Sequence, residues 1–210
     1  YAEDLLNVLS RNKNLKKKYY FYVAKPKEFK AIYQLRCFYD FLSKNDLSCR
    51  KEDFSFLIEQ YKKSNYIILH VRRSWHYQTD WFLELIDLLR KDKKEFIILL
   101  DDVSYADVLD IYLKSNNKVP DKQELTELEK VFFQHAKSWN RQSLDKARKV
   151  LIENDLKFLG RSEIYCDYNE RKCPLLIDGD KLYVDEGHVT NHGAEYFSIR
   201  AEKLINQLID

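Results

Sequence analysis

Two nearly unbroken apolar runs, Tyr66-Ile-Ile-Leu-His-Val71 and Phe96-Ile-Ile-Leu-Leu100, limit what this chain can fold into more than any other feature. Each has the length of a strand, and successive side chains of a strand point to opposite faces, so both faces have to be covered by other elements. The residues between the runs supply one cover: from about Thr79 to Arg90, Trp81, Phe82, Leu85, Ile86 and Leu89 recur at helical spacing. Strand, helix and strand in that order predict a right-handed β-α-β unit and a parallel sheet. The alternation extends both ways. Tyr19 to Ala24 is a dense aromatic run that reads as a first strand ended by Lys25-Pro26, and residues 28–44 carry Phe29, Ile32, Tyr33, Leu35, Cys37, Phe38 and Leu42 at helical spacing. Asp53 is placed to cap a helix running to Lys62, and three more helices are predicted at about 104–114, 122–137 and 141–154. The predicted fold class is α/β, three layers with a mostly parallel sheet between helices. With no repeat and no low-complexity linker, residues 1–210 read as a single domain; residues 3–10 make a short edge helix and the Lys-rich 11–18 a solvated lead-in to the first strand.

Toward the C-terminus the punctuation changes. Lys157-Phe-Leu159 and Glu163-Ile-Tyr165 are expected to supply a short strand, and Leu175 to Val184 reads as a hairpin with Asp178-Gly179 in its turn. Three of the four glycines, Gly179, Gly187 and Gly193, fall in this region, so unusual backbone geometry is concentrated there. Leu182 to Val184 delivers Asp185 and His188 into a tight loop, and a last helix from Asn191 to Leu208 is expected to bury Ala194, Phe197, Ile199, Ala201, Leu204, Ile205 and Leu208. A carboxylate three residues before a histidine on a rigid turn can accept the imidazole Nδ1–H, fix the tautomer and leave Nε2 to take a proton from a hydroxyl. Asp185 and His188 are the candidate catalytic pair. His192 is expected to be a surface residue at the helix start.

The block Asp185-Glu-Gly-His188-Val-Thr190-Asn-His-Gly193-Ala194 resembles the last sequence block of SGNH hydrolases, most of all the extracytoplasmic SGNH domains appended to bacterial membrane acyltransferases that O-acetylate surface glycans. Tyr165-Cys166 to Cys173-Pro174 strengthens the resemblance, because those domains often carry a cysteine pair there. The resemblance implies a flavodoxin-like (SGNH hydrolase) fold and an O-acyltransferase or esterase chemistry on a glycan acceptor such as lipopolysaccharide O-antigen, capsule or peptidoglycan. It also implies a transmembrane acyltransferase domain in the same precursor and an extracytoplasmic, periplasmic-face location. In that family the first strand ends in Gly-Asp-Ser-His, whose serine attacks the acyl carbonyl. Here the slot falls on Ala24-Lys25-Pro26-Lys27, which offers no hydroxyl, and Pro26 has no N–H for an oxyanion. Either the domain has lost its nucleophile, leaving a silent glycan- or partner-binding module, or the sequence lacks a segment near Ala24. Arg73, Ser74, Trp75 and Tyr77 loosely resemble a substrate or oxyanion loop after the second strand. Asp101 and Asp102 read as helix-capping residues rather than an acid/base pair.

Charge and cysteine usage exclude other classes. Lys+Arg (36) nearly balances Asp+Glu (34) for a net charge of +2, so no global field draws the chain to nucleic acid. No spacing suits a metal site and no glycine-rich loop is shaped to cradle a phosphate, so no cofactor and no metal are expected. No apolar run is long enough to span a bilayer; a start at Tyr1 and the absence of methionine point to a piece excised from a longer membrane protein. The four cysteines allow disulfides without proving them: Cys166 and Cys173 close a short polar loop, and Cys37 and Cys49 bracket a helix end as a second pair or as buried thiols.

Overall fold

The computed structural model describes residues 2–18, 34–43, 58–71, 80–100, 107–138, 141–185 and 188–209. The chain divides into two compact units, Tyr22–Asp101 with Ser143–Phe158, and Tyr1–Phe21 with Asp102–Gln142 and Leu159–Asp210.

In the first of these, the two apolar runs are strands β1 (Tyr66–Val71) and β2 (Glu95–Leu100), paired in parallel with Tyr66 opposite Glu95 and Val71 opposite Leu100. Four successive residues, Ile97 to Leu100, are buried, as a strand covered on both faces requires. A third strand, β3 (Phe158–Gly160), follows β2 in the sheet order, and the Ile98 N–H donates to the Lys157 carbonyl. The α/β reading with a parallel sheet therefore holds, in a helix-rich chain. The connection from β1 to β2 contains α5 (Asp80–Lys91), whose buried stripe is Phe82, Leu85, Ile86 and Leu89. Helix α3 (Gln34–Leu42) adds Phe38 and Tyr39 to the same core, and the helical residues 58–63 (α4) add Ile58 and Tyr61. Helix α8 (Arg141–Glu153) contributes Ala147 and Leu151. Two phenols tie this core to its polar rim: Tyr39 donates to Glu84 and Tyr61 to Asp92. Burial, aided by the Asp92 carboxylate, raises the Tyr61 hydroxyl well above the ordinary phenol range, so it stays a donor.

The second unit is built on α10 (Asn191–Ile209), whose buried residues include Ala194, Phe197, Ala201 and Ile205 at steps of three and four. Ile199 is 70% exposed, against the sequence reading. It lies two residues from Phe197, about 200° around the helix, and so faces away. Helix α1 (Ala2–Arg11) packs on α10 and α2 (Lys13–Lys18) on α1, and Leu5, Val8, Leu9 and Leu15 are buried. Within the lead-in, the run 13–18 is helical. Asn12 starts it: its side-chain oxygen accepts the N–H groups of Asn14 and Leu15, while its amide donates to Glu202 at 2.7 Å and to the Ser198 carbonyl. Residues 161–165 are also helical (α9, Arg161–Tyr165) where a strand was expected. The segment buries Arg161, Ser162, Ile164 and Tyr165, and Tyr165 sits edge-on to Phe197 at 4.7 Å; packing overrides the β propensity of a short Ile-Tyr run. Helices α6 (Val108–Asn116) and α7 (Lys122–Ser138) complete the unit. The expected strand at 19–24 and the Cys37–Cys49 pairing lie outside the described residues.

Candidate active site

The segment that presents Asp185 and His188 is supported from beneath before it surfaces. Strands β4 (Leu176–Ile177) and β5 (Asp180–Lys181) form the expected hairpin, with Asp178 at φ 51° and Gly179 at φ 88°, the two positive values a tight primed turn demands. The Leu182 N–H donates to the Leu175 carbonyl at 3.0 Å, and the Leu175 N–H donates to the Glu129 carboxylate at 3.1 Å, which fastens the hairpin base to α7. The Cys166–Cys173 disulfide forms just before the hairpin. Leu182 is fully buried, and the Tyr183 ring packs between Phe132 (5.2 Å) and Phe197 (5.6 Å). Val184 is exposed, so the chain leaves the core within one residue and arrives at the surface at Asp185. It then doubles back: the Val184 N–H donates to the His188 carbonyl (2.8 Å), and the Thr190 N–H to the Leu182 carbonyl (3.0 Å).

On that turn the pair has the geometry its spacing predicts. Asp185 Oδ1 accepts the His188 backbone N–H at 2.9 Å, and His188 Nδ1 lies 2.7 Å from Oδ1 and 2.9 Å from Oδ2. An ionised carboxylate only accepts, so Nδ1 is the donor, and in the neutral ring Nε2 is then the basic nitrogen. The side chains are 53% and 51% exposed, which puts any ionic contribution to stability in the surface range of about 0–1 kcal/mol. What the contact supplies is a fixed tautomer and ring direction on a solvent-accessible loop. That is the arrangement a general base needs.

Two further residues hold the turn, and one of them was legible. The Thr190 hydroxyl donates to the Lys181 carbonyl at 2.7 Å and accepts the Gly193 N–H at 2.9 Å, so one side chain caps α10 and ties it to the hairpin. A helix expected to begin at Asn191 already implies Thr190 as its cap. Gly193 carries a constraint of another kind: a Cβ there would lie 2.1 Å from the Leu182 carbonyl oxygen. Lys181 also pairs with Asp110 of α6 through its ammonium. That long-range partner left no trace in the local pattern. Asp107, Asp110, Lys181, Val184 and Asp185 are among the residues lining a shallow cleft beside the turn. His192 is half-buried rather than on the surface.

The other sequence-singled positions, Arg73, Ser74, Trp75 and Tyr77, the Ala24-Lys25-Pro26-Lys27 slot, and Asp101 with Asp102, lie outside the described residues. Among the described residues no group of three or more His, Cys, Asp or Glu side chains is disposed to hold a metal ion, and no helix is long and apolar enough to cross a membrane.

A family model described as the SGNH domain (fused to AT3 domains) matches residues 21–201, a span that takes in the disulfide, the dyad and most of α10. The chain belongs to this family. No curated protein matches the SGNH domain at a significant level. Among solved structures it is similar to the periplasmic domain of the lipopolysaccharide acetyltransferase of Salmonella ser. Paratyphi A, with a TM-score of 0.53 over 76% of this chain and 14% sequence identity. The SGNH domain spans 63% of that chain, less than two thirds of its length, and at this identity the likeness is one of fold.

Proposed function

We propose that this chain is the extracytoplasmic domain of a bacterial membrane O-acyltransferase, acting as one SGNH domain within a longer protein. In this reading it passes an acetyl group from the membrane-embedded AT3 domain to a hydroxyl of a cell-surface glycan. The observation that carries it is the Asp185–His188 contact, two short Nδ1–carboxylate distances on an exposed turn. The family description, which names fusion to AT3 domains, and the neighbour's periplasmic origin support the setting. His188 Nε2 takes the proton of the attacking hydroxyl as its oxygen bonds to the acyl carbonyl carbon. As the tetrahedral intermediate collapses, the same proton passes to the departing oxygen. Asp185 holds the ring and stabilises the transient imidazolium. Arg73, Ser74, Trp75 and Tyr77 contact the substrate or its oxyanion. The test is hydrolysis of a chromogenic acetyl ester: His188→Ala lowers kcat/KM by about 100-fold or more, within the range for loss of a general base. Equal rates in both proteins would overturn the proposal.

A second reading rests on Ala24-Lys25-Pro26-Lys27, where the family's serine would stand. It takes the domain as a catalytically silent module that binds glycan or partner. Saturable binding of an O-antigen oligosaccharide with no ester turnover by wild type selects that reading over the first.

A further inference from the structure

We infer that Thr190 is the positioning residue of the Asp185–His188 dyad, acting through its hydroxyl on the turn and not only as the cap of α10. The inference gives the dyad of the proposed acyl transfer its mechanical support, and so rests on that reading for its catalytic meaning but not for its geometry. The turn is a closed loop whose two limbs meet at Thr190. On one limb the chain runs Lys181, Leu182, Tyr183, Val184 to Asp185; on the other it returns from His188 through Val189. Backbone bonds join the limbs at Val184–His188 and Leu182–Thr190, and Tyr183 bridges Val189. Beyond these, the Thr190 side chain ties the Lys181 limb and its own limb to α10, with its proton given to Lys181 and its lone pair facing the Gly193 N–H.

The consequence follows from scale. The Nδ1–Oδ1 distance of 2.7 Å is at the short end for such a bond, and a displacement of His188 against Asp185 by about 1 Å takes it out of hydrogen-bond range. The limbs carry these two residues, so their separation is the quantity that must be fixed. The two side chains of the dyad are themselves half-exposed. A hydroxyl is suited to the task because it donates and accepts at once. Neither a carboxylate nor an alkyl group does both.

The experiment uses the 210-residue chain, nitrogen-labelled at histidine, and reads the His188 ring by long-range proton–nitrogen correlation, with thermal unfolding recorded alongside. Wild type shows a single tautomer protonated at Nδ1. Thr190→Ser, which keeps both bonds, shows the same. Thr190→Val loses both bonds, and the tautomer becomes mixed. Thr190→Asp keeps an acceptor for the Gly193 N–H and a charge suited to a helix N-terminus, but has no proton for the Lys181 carbonyl. It therefore unfolds near the wild-type temperature while its tautomer is mixed, and this separates positioning from capping even where the valine variant folds poorly. Where ester hydrolysis is measurable, kcat in the valine and aspartate variants falls by about 10- to 100-fold with KM unchanged. Retention of the single Nδ1–H tautomer in the aspartate variant overturns the inference, as does its loss in the serine variant. A wild type with no His188-dependent hydrolysis but with the expected tautomers refutes the proposed function and leaves Thr190's role standing.

Discussion

At Gly193 the requirement is absolute contact. The first turn of α10 lies against the Leu182 backbone so closely that the smallest side chain would meet a carbonyl oxygen at 2.1 Å and its carbon at 2.9 Å. That carbonyl is engaged by the Thr190 N–H and is part of the dyad's support, so it is not disposed to yield. Ordinary helix propensity favours Ala over Gly by about 1 kcal/mol, but here the clash outweighs it. Gly193→Ala is expected to lower the unfolding temperature, by an amount corresponding to about 1–3 kcal/mol for overpacking against backbone, and to disturb the His188 signals. An unfolding temperature at or above wild type would show that α10 shifts without cost. Glu129 is a residue whose charge works against the fold. Burial raises its carboxyl above the ordinary range, partly offset by the Leu175 N–H and by Lys172. A raised folded-state value means the folded chain binds the proton more tightly, so the penalty is absent at low pH and grows as pH rises past the ordinary carboxyl value of 4.5. Glu129→Gln retains an acceptor for Leu175, and is expected to stabilise the protein more at pH 7 than at pH 4 in paired thermal melts.

Elements announced themselves to the extent that their signals were local. The runs at 66–71 and 96–100 form strands, as their strand length and Ile- and aromatic-rich make-up indicate; Ile97 to Leu100 are all buried, whereas of 66–70 only Leu69 is, with Tyr66 exposed at the strand start. The Asp178-Gly179 turn followed from backbone conformation alone, and the Asp185–His188 contact from a three-residue spacing. Residues 161–165 are helical against their β propensity because their structure is decided elsewhere, by Phe197 packing on Tyr165, and the helix at 13–18 likewise starts from Asn12, which Glu202 anchors. Nor does any pattern within 175–193 reveal that Lys181 reaches Asp110, 71 positions away. Helix α7 is a case of full legibility. Asp121 accepts the N–H groups of Gln123 and Glu124, and Glu124 accepts the Asp121 N–H in return, a reciprocal cap that the Asp-x-x-Glu spacing encodes. Lys118 and that backbone bond hold the Glu124 carboxyl down at about 2, below its ordinary 4.5. Its folded-state value being depressed, its contribution is complete above pH 4.5 and lost as pH falls toward about 2. Glu124→Gln is therefore expected to unfold at lower temperature than wild type at pH 7, with the gap narrowing below pH 4.5 and closing only as pH reaches about 2. A gap independent of pH would mean that the charge plays no part.

On the scale of the molecule, the family match begins at residue 21, yet the unit carrying the dyad begins earlier. Helix α10 shows α1 and α2 a polar stripe of Asn191, Glu195, Ser198 and Glu202, spaced four, three and four, next to the apolar stripe of Ala194, Phe197, Ala201 and Ile205. Arg11 meets the near end of that stripe, donating to Asn191 at 2.6 Å and pairing with Glu195, while Asn12 and Asn14 hold Glu202 farther along. Between these contacts Leu5, Val8, Leu9 and Leu15 are buried. Paired polar contacts fix the register, but surface pairs contribute little stability, so the buried leucines and valine must dominate the attachment. Leu15→Ala is accordingly expected to cost about 2–5 kcal/mol, the range for truncating a fully buried leucine, whereas Arg11→Ala costs less than about 1 kcal/mol. Denaturant titration of the two variants distinguishes these. A chain trimmed to the family boundary would leave an apolar face of α10 in water and, beside it, the helix start that Thr190 caps. It is expected to bind a hydrophobic dye and to lose the single His188 tautomer. A trimmed chain with wild-type unfolding and wild-type His188 signals would show instead that residues 2–18 lie on the domain without supporting it.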